Sequence, residues 1–392
     1  MTLKTDSFDV VIVGGAIMGS ATAYFLTQDP QFSGRIAIIE RDTSYADCST
    51  ARSCGGLRQQ FSTLENIQMS MFGLDFVRTL KNRFGPEADV SFREQGYLSL
   101  ASPTGADILA SCVEMQRAHG ADIVLHDASE LETAFPWLST EGIAVGAYGR
   151  SGEGWMDPVT MMTLMRKAAQ AKGVTLIHGT VTGFERDGES ITDVILADGR
   201  RYGCESLVNA AGPDAGRLAA VLGFPLPVER RKRLVFVFDC KDPPPRCPLT
   251  FDPTGIYFRP EGHQFISGLS PADGSEWDTD NFDIDHDWFD TDMWPKLAAR
   301  VPAFETIKVT GAWAGYYDYN TLDQNAIIGR HPDFANLYLM NGSSGHGFQH
   351  GPASGRAIAE LIVHGAYQTI DLTRLGYQRV TKHEPIFELN VV

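Results

Sequence analysis

Cysteine is sparse in this sequence and is not paired by spacing. The six cysteines, at positions 48, 54, 112, 204, 240 and 247, form no C-x-x-C, so no zinc site or disulfide frame is encoded, and reduced thiols in a cytosol-like compartment are expected. Positive charge is also short: 33 Lys and Arg stand against 49 Asp and Glu, a net charge of −16. Nucleic acid and anionic membranes both need a basic face, so neither is expected as a partner. Any anionic substrate must then be captured by a few local cations. Long apolar runs are missing as well. Residues 10–26 are apolar but carry three glycines, which reads as strand, turn and helix and not as a membrane span. No basic and apolar leader precedes the first strand near Phe8, so the expected location is cytoplasmic. A calcium loop is imitated by Asp283, Asp285 and Asp287, but Trp288 stands where its glycine belongs and the closing glutamate is missing. The acidic run 278–292 is therefore expected to be a solvated loop that favours the N-terminus of the following helix. The one basic cluster, Arg230 to Arg233, precedes a strand-like VFVF and is expected to be a strand-entry surface.

The 392 residues suffice for one large or two interleaved domains with a sizeable core. The stretch VVIVGGAIMGS, residues 10–20, follows a continuous β-branched run, the mark of a buried parallel strand. It opens a helix over 16–27, and RIAIIE (35–40) forms a second strand. This βαβ unit is the required context for a dinucleotide-binding turn. Gly14 and Gly19 hold the outer glycine positions, with Gly15 and Met18 between them. Ala16 occupies the middle one. Alanine tolerates negative φ, so the turn should survive at a cost of roughly 1 kcal/mol. Glu40 ends the second strand, where a carboxylate accepts hydrogen bonds from an adenosine ribose and disfavours a 2′-phosphate; Arg41 follows it.

Three further stretches select FAD over NAD. STARSCGGLRQQFS (49–62) brings Ser49, Thr50, Ser53, Gly55, Gly56 and Leu57 directly after the ribose strand, as suits a second phosphate and isoalloxazine cradle. A strand ending in Ala211-Gly212-Pro213 suits the adenine side, together with Val181. SSGHGFQHGPASGRAIAEL (343–361) offers Gly345, His346, Gly347, Phe348 and Gln349 before a helix expected from about Pro352. That helix N-terminus would stabilise the negative charge of a reduced flavin.

Further along, helices are expected over 64–84, 104–119 and 158–172, the last capped by Asp157. Asp198-Gly199 marks a hairpin. Residues 224–319 are rich in proline, aromatics and short strands. The expected fold is α/β: a Rossmann-like FAD-binding domain (1–90, 154–223 and 320–392) interleaved with an α+β, antiparallel-sheet substrate domain (91–153 and 224–319).

On these stretches the chain resembles the D-amino-acid-oxidase-type FAD-dependent oxidoreductase superfamily, which includes sarcosine oxidase, glycine oxidase and dimethylglycine dehydrogenase. The resemblance runs from about Phe8 to about Asp371. WAGYYDYNTLDQNAIIG (313–329) and YQTIDL (367–372) look like one subgroup, whose animal member is mitochondrial and assists respiratory complex assembly. The resemblance implies oxidation of a C–N bond beside a carboxylate, with hydride passing to the flavin and hydrolysis of the imine. Two departures stand out. The covalent-link cysteine of monomeric sarcosine oxidase falls near Ala314–Tyr317, so FAD should be non-covalent. The lysines near the flavin are replaced here by Ile266 and Gln349, which favours a dehydrogenase or slow oxidase.

A carboxylate substrate favours arginine as its donor. Arg58 and Arg259 are the candidates; the bland readings are a flavin or acid partner for Arg58 and a sheet-face ion pair with Glu261 for Arg259. Tyr257 shares the face of Arg259 by period-two alternation and could close over the substrate or serve the core. His346 sits between glycines, at the flavin edge or bonded to backbone. Tyr316, Tyr317 and Tyr319 could cage an amine or pack internally. The expected activity is oxidation of a small secondary or N-methylated amino acid, with an unknown electron acceptor. The alternatives are 2-hydroxy-acid oxidation on the same fold and a flavoprotein assembly factor.

Overall fold

The computed structural model describes residues 6–271 and 280–389; Asp278, part of the acidic run read above, lies outside them. Strand β1 (Asp6–Val13), helix α1 (Ile17–Gln28) and strand β2 (Ile36–Glu40) form the expected βαβ unit. The β-branched run of β1 is buried, because strands flank it on both sides and helices cover its faces. It pairs parallel with β2 on one side and with Arg201–Asn209 on the other. The sheet runs Ile327–Arg330, Leu337–Asn341, Arg201–Asn209, β1, β2, Thr175–His178. One face packs α1, Leu64–Arg78, Pro158–Ala171 and Gly347–His364 into an apolar core. The other face packs Ala215–Leu222 and Ser190–Leu196, the outer arm of the Asp198-Gly199 hairpin, whose inner arm, Arg201–Asn209, is a strand of the sheet. The two arms pair antiparallel as expected.

A second eight-stranded sheet runs Ile307–Asn320, Val228–Cys240, Gln264–Leu269, Ile256–Glu261, Leu249–Phe251, Tyr97–Ala101, Val145–Gly149, Ile123–Asp127. It is antiparallel save for Leu249–Phe251 beside Tyr97–Ala101. Its core is an aromatic cluster that includes Phe236, Phe238, Phe258 and Phe304. A short ribbon of Gly56–Leu57 against Gly154–Trp155 ties the loop after β2 to this half of the molecule.

Local chemistry sets several boundaries. Asp157 accepts the N–H groups of Val159 and Thr160 at 2.9 and 3.2 Å, and Pro158 follows it. Two expectations change, and two helices were not read in sequence. The last long helix starts at Gly347 and contains Pro352, because packing on α1 extends it back past the proline. The helix expected over 64–84 breaks at Thr79. The helices Ala128–Ala134 and Ala215–Leu222 carry too short an apolar repeat to stand out in sequence. No described helix is long and apolar enough to cross a membrane.

Candidate cofactor and substrate site

The turn after β1 is shaped by contact. Gly14 has φ +100°, and a Cβ there would lie 2.2 Å from the Ala210 carbonyl oxygen. A Cβ on Gly19 would lie 1.9 Å from the Gly14 carbonyl oxygen. Ala16 adopts φ −68°, ψ −159°, an extended conformation open to any L-residue. Ala16 therefore has the negative φ at which the turn is expected to survive. Glu40 accepts the N–H of Gly15 at 2.8 Å and that of Asp42 at 3.0 Å, which fixes its carboxylate at the end of β2.

A cavity of about 370 Å³ starts at this turn and runs between the sheets. Gly14, Ala16 and Met18 line it from the turn, and Glu40 and Arg41 from the end of β2. Ser49, Thr50 and Ser53 line it from the next loop, and Val181, Ala211 and Gly212 from one end. Gly345, Gly347 and Phe348 complete it at the start of the last long helix. Thr50 Oγ1 accepts the Ile17 N–H at 3.3 Å. Four remote stretches thus meet around one cavity. Gly15, Gly19, Gly55 and Leu57 do not line this cavity; they shape it. A Cβ on Gly55 (φ +71°) would lie 2.1 Å from the Met156 carbonyl oxygen, and Leu57 is core.

The basic cluster is not only surface. Arg230 and Arg233 line the cavity, and Arg233 shares its face of the strand with Val235, another lining residue. Arg230 pairs with Asp214 and Asp280, Asp214 also holds Arg41 at 2.5 Å, and the Arg233 guanidinium lies 5.1 Å from the Tyr317 ring. Asp318, another lining residue missed in sequence, accepts the Ser343 N–H at 3.0 Å, and burial pushes its carboxyl up to about 6.

A second cavity of about 50 Å³ adjoins the first and shares Ser53, Cys54, Tyr257, Tyr317, Gly345 and Phe348 with it. Arg58, His346, Gln349 and Gly56 line it too. Arg58 is 4% exposed. Its guanidinium stacks 4.4 Å from the Phe61 ring, and Nη2 donates to His346 Nε2 at 3.3 Å. Nη1 is buried with no partner among the described residues. Gln349 fixes the Arg58 backbone, its Oε1 accepting the Arg58 N–H at 2.8 Å. Burial, reinforced by Arg58, pulls His346 down to about 3. The ring is therefore neutral, and since a guanidinium only donates, Nε2 is an acceptor already engaged.

Arg259 does not reach either cavity. Its Nε donates to the Cys54 carbonyl at 2.9 Å, and Nη1 pairs with Glu261. It braces the loop instead of meeting a substrate, so the sheet-face ion pair is the correct reading. Tyr257 does face both cavities, and Gly268 on the next strand leaves room for it: a Cβ there would lie 2.6 Å from the Tyr257 hydroxyl. Tyr316 and Tyr317 line the large cavity, but Tyr319 does not. The aromatic wall is instead Tyr97, Phe251 and Tyr257, stacked at 5.3 and 5.1 Å. Tyr97 and Phe251 escaped the sequence reading, since nothing local separates them from core aromatics. Glu153, buried behind Arg58, also escaped it. It accepts the Gln59 N–H and, at 2.7 Å, Gln60 Nε2, and burial pushes its carboxyl up to about 7.

No group of metal-ligating side chains occurs among the described residues. His350 meets the Ser70 hydroxyl at 2.9 Å, and Asp285 accepts the N–H groups of Asp287 and Trp288 at 3.1 and 3.3 Å.

Comparison with known proteins agrees with this arrangement. The family profile described as "FAD dependent oxidoreductase" (DAO) matches residues 9–361. The chain is 41% identical over 428 residues to FAD-dependent oxidoreductase domain-containing protein 1 of Xenopus laevis, covering 100% of this chain and 86% of that protein. It is 27% identical to sarcosine oxidase subunit beta of Rhizobium meliloti (strain 1021), covering 92% and 86% of the two chains. Among solved structures it is similar to L-proline dehydrogenase from P. horikoshii, with TM-score 0.85, 23% identity, and coverage of 98% and 100%.

Proposed function

The chain belongs to the DAO family of FAD-dependent oxidoreductases, and from that premise we propose that it oxidises the C–N bond of a small secondary or N-methylated amino acid, the imine then hydrolysing. The observation that carries this reading is Arg58: a buried guanidinium with an uncommitted Nη1, in a small aromatic cavity that opens onto the cofactor cleft. The residues present fit FAD: glycines that admit a close backbone approach, Glu40 for a ribose, and helix N-termini at 17 and 347 for anionic groups. When bound, FAD supplies the hydride acceptor.

The protein's own part is to bind and orient. Arg58 takes the substrate carboxylate, and stacking on Phe61 with the Gln349 bond holds it in place. Tyr257 and Tyr317 flank the passage between the two cavities, where the reacting carbon would sit. No carboxylate lines the small cavity among the described residues, so nothing there favours an ammonium. Arg58 and desolvation both favour the neutral amine, the form that loses hydride. A 2-hydroxy acid would need a general base, and a neutral His346 with Nε2 occupied weighs against it. Ile266 and Gln349 bring no charge to the flavin, which supports a dehydrogenase or slow oxidase, and Ala314–Tyr317 supports non-covalent FAD. The two sheets support the division into an FAD domain (1–90, 154–223, 320–392) and a substrate domain (91–153, 224–319).

The test is the visible spectrum of the purified protein under anaerobic addition of amino and hydroxy acids. Bleaching by an N-methylated or cyclic secondary amino acid is the expected result. Bleaching by hydroxy acids alone would overturn the amine reading, and a flavin that nothing bleaches would point to a non-catalytic role.

A further inference from the structure

The small cavity has one yielding wall. Arg58 is fixed by Phe61, His346 and Gln349. Tyr97, Phe251 and Tyr257 form a continuous ring stack from three neighbouring strands, with interplanar angles of 15° and 29°. Leu249 is the one aliphatic side chain that lines the cavity among the described residues. It is fully buried against Tyr97 and Trp155. Facing it is the bare backbone of Gly56, where a Cβ would lie 3.3 Å from Leu249 Cδ1 and 3.9 Å from the Tyr97 ring. A single methyl on Gly56 would therefore already press on Leu249, so the gap between them is no wider than one carbon. The remaining 50 Å³ equals about three to five water-sized spheres. That holds a carboxylate and a carbon or two, with the reacting carbon at the mouth. A longer alkyl group must displace Leu249 or break the ring stack. Arg58 is also the one permanently charged side chain lining this cavity among the described residues, so a second carboxylate finds no partner.

We infer that Leu249, set against Gly56, is a specificity-determining residue that restricts the enzyme to monocarboxylates with a short alkyl part. The substrate-class statement rests on the amine reading above; the size limit is a property of the cavity and is read separately.

The experiment uses the FAD-loaded enzyme in two series. Acetate, propionate, butanoate and pentanoate are titrated while the flavin absorption band is followed for binding. N-methylglycine, N-methylalanine and N-methylvaline are added anaerobically while bleaching is followed. A tight apolar pocket discriminates one methylene on the order of tenfold. Affinity and bleaching rate are expected to fall at least tenfold past the third carbon of the acid and between N-methylalanine and N-methylvaline. Leu249→Ala should move both breaks to larger ligands, and Leu249→Val serves the same purpose should the alanine variant not fold. Gly56→Ala, which fills the facing wall, should move them to smaller ligands. Length profiles that are flat, or identical in all these proteins, overturn the inference. A break in the acid series with no bleaching by any amine keeps the size limit and rejects the amine reading. Bleaching that is indifferent to side-chain size does the reverse.

Discussion

Arg58 holds a buried charge whose Nη1 has no partner among the described residues. Such a group is costly to bury alone, and a bound carboxylate offsets that cost. Arg58→Met should weaken binding of a carboxylate substrate by about 30- to 1,000-fold, the scale of a lost buried charge-pair hydrogen bond. It should leave FAD content intact, as substrate titration and the flavin spectrum will show. Arg58→Lys should recover little, since an ammonium supplies neither the planar fork nor the stack on Phe61. Glu153 makes the second residue-scale case. Its folded value of about 7 lies above the ordinary 4.5, so the folded protein holds this proton through that interval. The stability it contributes is complete below pH 4.5 and is lost as pH rises through 7. The loss is on the order of 3 kcal/mol. Urea unfolding of wild type and Glu153→Gln at pH 5 and pH 8 should show the wild type losing stability relative to the variant at the higher pH. Equal pH profiles would rule the linkage out.

At the scale of elements, the turn between β1 and α1 separates glycines that geometry demands from a position where it does not. Ala16→Gly should change FAD affinity by less than about 1 kcal/mol, because the backbone there is already ordinary. Gly19→Ala should lose FAD on desalting, because its Cβ would meet the Gly14 carbonyl at 1.9 Å. Flavin fluorescence after gel filtration reads both outcomes. This unit was legible in sequence because its signals are local: a β-branched strand, the glycine spacing, and Glu40 at the end of the next strand. The last long helix was less legible. Its proline suggested a start at Pro352, but Gly351 and Gly355 pack onto Ile17 and Ala21 of α1, and that contact carries the helix back to Gly347. Arg259 was misplaced for a similar reason. Alternation gives the face of a strand, and the ion pair with Glu261 and the bond to the Cys54 carbonyl decide where the guanidinium goes.

At the scale of the molecule, the large cavity lies between the two sheets and draws its walls from both. Filling it couples their stabilities. The FAD-free protein should unfold at lower temperature than the loaded one, and free FAD at about 100 times its dissociation constant should add about 2.7 kcal/mol. Thermal scans with and without added FAD will show this as one transition moving upward; a transition indifferent to FAD would contradict the fit of cavity to cofactor. What the sequence by itself determined is the nucleotide half: strand, turn, the carboxylate that ends the next strand and the glycine-rich entry to the last helix. Each depends on backbone geometry that short strings of glycine and β-branched residues dictate. What only the tertiary structure decided is the substrate end. Tyr97, Leu249, Phe251 and Glu153 come from strands and loops far apart in the chain, and their types suit any core. They become a site only because a mixed sheet sets them beside Arg58, and long-range packing leaves no local trace in the chain that carries it.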